Sequence, residues 1–494
     1  AAPDPTPTPA AEVQSLSTTG STVKAPKYVF LFIGDGMSYP QIQSTSDFLG
    51  ALNDADYRQA QPSLDDNGGA ILDGPEYLNF MNFEAAGSAV TYDSNSFAPD
   101  SASTATSIST GYKTYSGSIN VDETGTISYE TIAEQLHAQK GYSVGVITSV
   151  NLNHATPAAF YAHQASRNDY YDIGLELIDS GFEYFAGGGL LKPTGAEGDQ
   201  ADLYALAEKA GYHVVKTQAE AEQVTGGPVV IIDEHLADSD AMAYEIDRTD
   251  DMWALADYVE KGIEVLSQDK DGFFMMCEGG KIDWACHAND AASTIHDTQA
   301  LADAVQVAID FAKEHADETL ILVTGDHETG GLTIGFAGTD YDTYLDLLES
   351  QKISYAKFDS DYVSRYKEDK TSFEDVLKDV EALFGLKTQG EEGDKLVLTD
   401  YELEQLRAAY EKSVNGTAAS QYEQEEYVLY GTYEPLSVTL THIINNKSGI
   451  SFTSYSHTGL PVAVLAHGVN AGQFNGYYDN TQIYHKLAGM LGIA

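Results

Sequence analysis

The sequence predicts an α/β fold: a doubly wound, mostly parallel central sheet with helices on both faces, interrupted by one large insertion. Three observations predict it: apolar runs of strand length, helical patterns between them, and polar residues with metal-ligand chemistry just after four of the runs. Residues 28–33 are continuously apolar, which suits a strand buried on both faces of a parallel sheet. Similar runs recur at 143–148, 229–232, 273–277 and 319–324, and helical patterns occupy 131–140, 201–210, 250–266 and 291–315. Such alternation argues for a doubly wound sheet, in which ligands bind beyond the carboxyl ends of the strands.

That edge is where the chemistry falls. Asp35 follows the first run, His154-Ala-Thr156 the second, Glu278 the run at 273–277, and Asp326-His327 the run at 319–324. From about 338 to 435 the alternation stops in a Tyr-, Asp- and Glu-rich stretch with short helical patterns at 372–384 and 400–412, read as an insertion. Its many tyrosines and few strong apolar runs suit an interface or lid better than an independent core. Strand and helix patterns return at 462–466 and 482–491.

Composition narrows the class. The chain has 494 residues with 43% hydrophobic and 11% aromatic content, enough apolar surface for a globular core and compatible with one large domain or several. Asp and Glu number 76 against 26 Lys and Arg, for a formal charge of −50. Such a field disfavours nucleic acid and anionic membranes as partners. The acids are dispersed, which fits a halophile's hydrated surface or an ordinary acidic enzyme. Cys277 and Cys286 are too few for a zinc ribbon or a disulfide framework and read as small buried thiols, a bridge between them staying open. No run of about 18 apolar residues is present for a membrane span. Residues 1–24, rich in Ala, Pro, Ser and Thr, read as a flexible arm left after removal of a leader, with a periplasmic or secreted protein as the consequence.

Several segments carry candidate chemistry. Gly34-Asp35-Gly36 lets the backbone bend while Asp35 projects, either to ligate metal or to cap a helix beginning near Ser38. Asp100-Ser101-Ala-Ser-Thr104 would set Ser101 at a helix N-terminus, where the dipole favours an anion, or be an ordinary helix start. Asp283 and His287, four apart, would bring a carboxylate and an imidazole to one face of a helix or tight loop, as a zinc site or as a surface pair or cap, with Glu278 five residues earlier favouring the site. Asp326-His327 and His457 add further candidate ligands.

Taken together, in this order and spacing and with the strings Thr110-Gly-Tyr-Lys-Thr-Tyr-Ser-Gly117 and Ala155-Thr-Pro-Ala-Ala159, these segments resemble alkaline phosphatases over nearly the whole chain from Lys27 onward. The resemblance implies one catalytic domain over 25–494 that hydrolyses small phosphate monoesters through a phosphoserine on Ser101. It implies two zinc ions, one on Asp283, His287 and His457 and the other on Asp35, Asp326 and His327, and a magnesium ion on Asp35, Thr156 and Glu278. Arg167 stands where the family grips phosphate. His154 and Trp284 complete the substrate site where some bacterial relatives carry an Asp and a Lys, a combination that resembles a marine bacterial subgroup with the same large insertion. In that subgroup the insertion reaches a partner subunit, so a homodimer is expected. A sulfatase would need Pro and Arg after its nucleophile, which Ser101-Ala-Ser103 lacks, and in a diesterase Arg167 would crowd the second ester group. The remaining rival is a non-catalytic metal-binding or surface protein, which a colour assay for phosphatase activity separates.

Overall fold

The computed structural model describes residues 24–55, 71–418 and 420–493, so all of the expected N-terminal arm except Lys24 lies outside the described residues. The strands are β1 (Tyr28–Gly34), β2 (Ala85–Val90), β3 (Ser143–Asn151), β4 (Tyr184–Gly188), β5 (His213–Val215), β6 (Val229–Ile232), β7 (Phe273–Gly279), β8 (Thr319–Gly325), β9 (Glu328–Thr329), β10 (Thr333–Ile334), β11 (Ile450–Ser451), β12 (His457–Thr458), β13 (Val462–Gly468) and β14 (Gly476–Asp479). Ten form one sheet in the order β14-β2-β13-β8-β1-β7-β3-β4-β6-β5, and β13 alone runs against its neighbours. The short strands pair as β9 with β12 and β10 with β11, both antiparallel.

Successive side chains on a strand point to opposite faces, and β1 shows what its unbroken apolar run accomplishes. Val29, Leu31 and Ile33 join one buried cluster, with Ala102, Ala105 and Ile108 of the helix Ser101–Thr110 and Ile483 and Leu487 of the helix Thr481–Leu491. Tyr28, Phe30 and Phe32 join the other, with Leu255 and Val259 of the helix Leu255–Leu266 and Leu301 and Val305 of the helix Ala291–Glu314. Each fully buried Phe or Ile contributes about 1.5–3 kcal/mol relative to exposure, so the two faces together hold the sheet edge rigid.

The insertion carries helices close to the expected patterns at 372–384 and 400–412. It folds into helices, among them Phe373–Phe384 and Asp400–Asn415, around a buried cluster that includes Phe358, Tyr366, Val376, Val380, Phe384, Leu406 and Tyr410. That cluster continues into Phe48 and Ala51 of the helix Tyr39–Asn53 and into Ala291 and Ile295 of the long helix. The segment therefore packs as an outgrowth of the main domain, sharing one apolar cluster with it rather than enclosing an independent core, and its apolar residues recur at helical spacing rather than in runs. Cys277 and Cys286 are both free and buried. No helix among the described residues is long and apolar enough to cross a membrane.

Candidate active site

The carboxyl ends of β1, β7 and β8 stand side by side, with Gly34 in register with Gly279 and Gly325. Asp35, Glu278 and Asp326-His327 consequently project from one edge, and all four are at most 2% exposed. Crowding there demands glycine: Gly36 has φ +71, and a Cβ on it would lie 3.0 Å from the Asp283 backbone. The Gly36 amide donates to Asp326 Oδ1 at 3.1 Å, tying the turn after β1 to the end of β8.

Ser101 begins the helix Ser101–Thr110, whose N-cap is Asp100. Its Oγ lies 3.0 Å from His327 Nε2 and 3.3 Å from Asp35 Oδ1. Thr156 Oγ1 donates to the other oxygen of Asp35 at 3.1 Å. Glu278 accepts from the Thr148 hydroxyl with Oε2, while Oε1 is buried without a partner.

Asp283 and His287 lie on the helix Lys281–His287, 3.3 Å apart between Oδ2 and Nε2. The β9–β12 pair carries His457 to the same place, its Nε2 3.5 Å from Asp283 Oδ1 and 3.1 Å from His287 Nε2. Two groups of potential ligand atoms result, each within 4.8 Å: Asp283, His327 and His457, and Asp35, Asp326 and His327. His327 thus stands between both groups, and His287 flanks the first.

The imidazoles are oriented from behind. His287 Nδ1 donates to the Tyr455 carbonyl and His457 Nδ1 to the Pro99 carbonyl, each at 2.6 Å, while His327 Nδ1 meets Thr329 Oγ1 at 3.2 Å. A donor at Nδ1 leaves the Nε2 lone pair facing inward, the arrangement metal ligation uses.

The electrostatics point the same way. Burial, then the charges of Asp35 and its neighbours, push Glu278 and Asp326 well above the usual carboxylate range. Burial opposes ionisation of Asp283 too, but His287 and His457 outweigh it and hold that carboxyl well below its usual range. The same contact raises His287 to about 9 despite burial. Four buried carboxylates facing three imidazoles form an expensive arrangement unless cations compensate it, and the orphaned Glu278 oxygen is a lone pair awaiting one. Nitrogen with carboxylate suits zinc; hydroxyl with carboxylate suits magnesium.

The remaining expected residues border this centre. Arg167 Nη1 donates to Asp100 Oδ2 at 2.8 Å, and Asp100 also accepts from the amides of Ser103 and Gly117. One carboxylate thus anchors both the arginine and the Ser101 helix. His154 and Trp284 pack edge to face at 5.9 Å. Burial and the charge of Arg167 lower His154 to about 4, and its Nδ1 has no hydrogen-bond partner.

Comparison with known proteins decides what this edge belongs to. The family model for alkaline phosphatase matches residues 26–493. The chain belongs to the alkaline phosphatase family. Alkaline phosphatase 3 of Bacillus subtilis (strain 168) is 30% identical over 465 residues, covering 92% of this chain and 87% of that protein. The cold-active alkaline phosphatase from a psychrophilic Shewanella sp. superposes with a TM-score of 0.73 at 29% identity, covering 94% of this chain and 99% of that one. The Thermus thermophilus enzyme, at 23% identity and a TM-score of 0.74, shares the fold, covering 95% and 92%. This alkaline phosphatase is therefore a metal-dependent hydrolase of phosphate monoesters. Residues missed from sequence are those acting through others: Asp100, Thr329 and Tyr455. Asp100 had a signal, an acid at a helix N-cap position; Tyr455 acts through a backbone carbonyl and has none.

Proposed function

We propose that this alkaline phosphatase works through a phosphoserine on Ser101. The observation that carries the reading is the position of Ser101 Oγ, within 3.3 Å of both His327 Nε2 and Asp35 Oδ1 at a helix N-terminus. Asp283, His287 and His457 would hold one zinc ion, Asp35, Asp326 and His327 a second, and Asp35, Thr156 and Glu278 a magnesium ion. When bound, such cations supply Lewis-acid charge and lower the pKa of oxygens bound to them.

The chain's own residues do the rest. Ser101 Oγ loses its proton to solvent and attacks phosphorus while the bond from phosphorus to the ester oxygen breaks, the departing alkoxide taking a proton from solvent to leave as the alcohol. Asp100 presents the Arg167 guanidinium, whose planar fork matches two non-bridging phosphate oxygens. The helix N-terminus adds a favourable field for the anion. Water then cleaves the phosphoserine, releasing inorganic phosphate and restoring Ser101. His154 and Trp284 border the substrate on the magnesium side. With a Debye length of about 8 Å at physiological salt, the dispersed acidic surface does not keep a dianion from this local positive field.

The test is hydrolysis of p-nitrophenyl phosphate by the intact protein and by Ser101→Ala, with metal content per chain determined in parallel. Loss of activity in the variant and in chelator supports the reading; full activity of Ser101→Ala overturns it. The same reading has residues 25–494 acting as one catalytic unit, periplasmic or secreted, with an acidic surface suited to salt. It also includes a homodimer formed through the insertion, and elution at monomer mass in light scattering would remove that part.

A further inference from the structure

The segment between β11 and β12 reaches the metal centre through a main-chain atom. The Tyr455 carbonyl accepts the Nδ1 proton of His287 at 2.6 Å, so the position of this carbonyl sets where His287 Nε2 points. What holds Tyr455 is the insertion and the turn that follows it. Tyr427, on the helix Glu423–Tyr430, meets the Tyr455 ring edge to face at 5.9 Å. Tyr433 lies 6.2 Å from it and braces in turn on Tyr355 at 5.7 Å. The Tyr455 hydroxyl donates to the Val428 carbonyl at 3.0 Å. Gly431 has φ +60, and a Cβ there would sit 2.9 Å from the Tyr455 ring.

The main chain is pinned on both sides of Tyr455, the Ser454 amide donating to the Gly330 carbonyl at 3.0 Å and the Gly330 amide to the Ser456 carbonyl at 2.9 Å, so what these contacts fix is the ring and the tilt of the peptide between those pins. A cavity of about 250 Å³ lies beside it, lined in part by Asn289, Tyr427, His442, Phe452 and Tyr455. The second tie to the metal-ligand helix is Asn289, which donates to the Ser454 carbonyl at 2.8 Å and receives support from His442. With open volume alongside, the ring has somewhere to go if its grip is loosened, and the peptide it hangs from can then tilt between its two pins, re-aiming the carbonyl.

We propose that Tyr455 is a positioning residue for His287 and that Tyr427, Gly431 and Tyr433 clamp it, so that the insertion serves the metal centre of its own chain. This rests on the reading of His287 as a zinc ligand. Partners behind a ligating histidine are commonly worth about 10- to 100-fold in metal affinity or activity. The experiment follows zinc release from the full chain during chelator challenge, zinc per chain by elemental analysis, and recovery of activity on adding zinc. Tyr455→Ala should release zinc about 10-fold faster and regain most of its kcat in excess zinc. Tyr433→Ala and Tyr455→Phe should release it about 2- to 5-fold faster. Tyr401→Ala, on an exposed insertion position, should match the parent. Should Tyr455→Ala fail to fold, Tyr433→Ala and Tyr455→Phe decide by the same measurement. Release at the parent rate in the folded variants, or lost activity that zinc does not restore, overturns the clamp. His287→Ala separates the two levels: unchanged zinc content there removes the ligand assignment itself, whereas reduced zinc in His287→Ala with parent behaviour in the tyrosine variants removes only the clamp.

Discussion

The site is assembled from two kinds of backbone, and they hold their side chains differently. Asp35, Glu278, Asp326 and His327 stand at the ends of adjacent strands and are almost completely buried. Arg167, His287 and His457 come from a loop, a helix end and a two-residue strand, with side chains 23%, 27% and 13% exposed. The first group is placed by sheet register and by close packing around it. The second depends on single anchors: Asp100 for Arg167, and the carbonyls of Tyr455 and Pro99 for the two histidines. Strand-end groups should therefore fail through charge, and loop-borne groups through geometry.

The largest expected effect lies at the junction of the two. Ser101→Ala, which removes the oxygen between them, should lower kcat about a thousandfold or more without changing the unfolding temperature appreciably; stopped-flow detection of a phosphoenzyme burst in that variant would break the assignment. Next comes a strand-end group. Asp326→Asn keeps shape but removes a buried charge, and metal affinity should drop about 100-fold while the metal-free protein holds or gains stability. Chelator titration alongside denaturant unfolding checks both halves, and destabilisation without metal loss would contradict the comparison. Arg167→Lys preserves charge and loses the fork, so kcat/KM should fall about 10- to 100-fold, chiefly through KM for phosphate esters.

The smallest effect is a pH dependence on the loop side. His163 precedes Arg167 in the same loop and contacts Glu134 and Glu176, each at 3.2 Å. Burial opposes its charge, but these hydrogen bonds outweigh it and raise the imidazole to about 10. Because the folded value exceeds the unfolded one, the stabilisation is complete below about pH 6.5 and disappears as pH rises through about 10. His163→Gln should therefore cost roughly 2 kcal/mol at pH 6 and almost nothing near pH 10.5. Denaturant melts at the two pH values test it, and an equal cost at both would remove the charge from the explanation.

How much of this was legible in the sequence follows the same division. The apolar runs located β1, β3, β6, β7 and β8 because a doubly buried strand must be apolar on every residue, and the candidate ligands at the ends of several of them came with them. The strands β2, β4, β5 and β14 were not found. Ala85–Val90 is made of small residues with partly exposed alternate positions, and Tyr184–Gly188 ends in two glycines, so neither carries a strong strand signature. Helix positions were close, although the pattern read from 250 becomes a helix only at Leu255, after an Asp-rich turn. The insertion's share of the buried cluster did not show as runs because Phe373, Val376, Val380 and Phe384 are spaced along one helix face and never adjacent. Anchors such as Asp100 and Tyr455 stayed hidden, since what they hold is distant in sequence and, for Tyr455, the working atom is a carbonyl that every residue has.

One feature of the sheet bears on how such a protein can change over time. Because β13 runs opposite to β8, the chain leaves β8 and enters β13 at the same end of the sheet, with Val464 in register with Thr324. Had β13 run with its neighbours, a strand of seven residues would have put that entrance roughly 20 Å away, at the other rim. The stretch between Gly325 and Val462 is thus a loop anchored at both feet beside the proposed metal ligands, and the entropy of closing a loop grows only slowly with its length. Residues can be added to it or removed without disturbing strand order. Whatever accumulates there must rise above the catalytic edge, so lineage-specific growth and active-site architecture share one address.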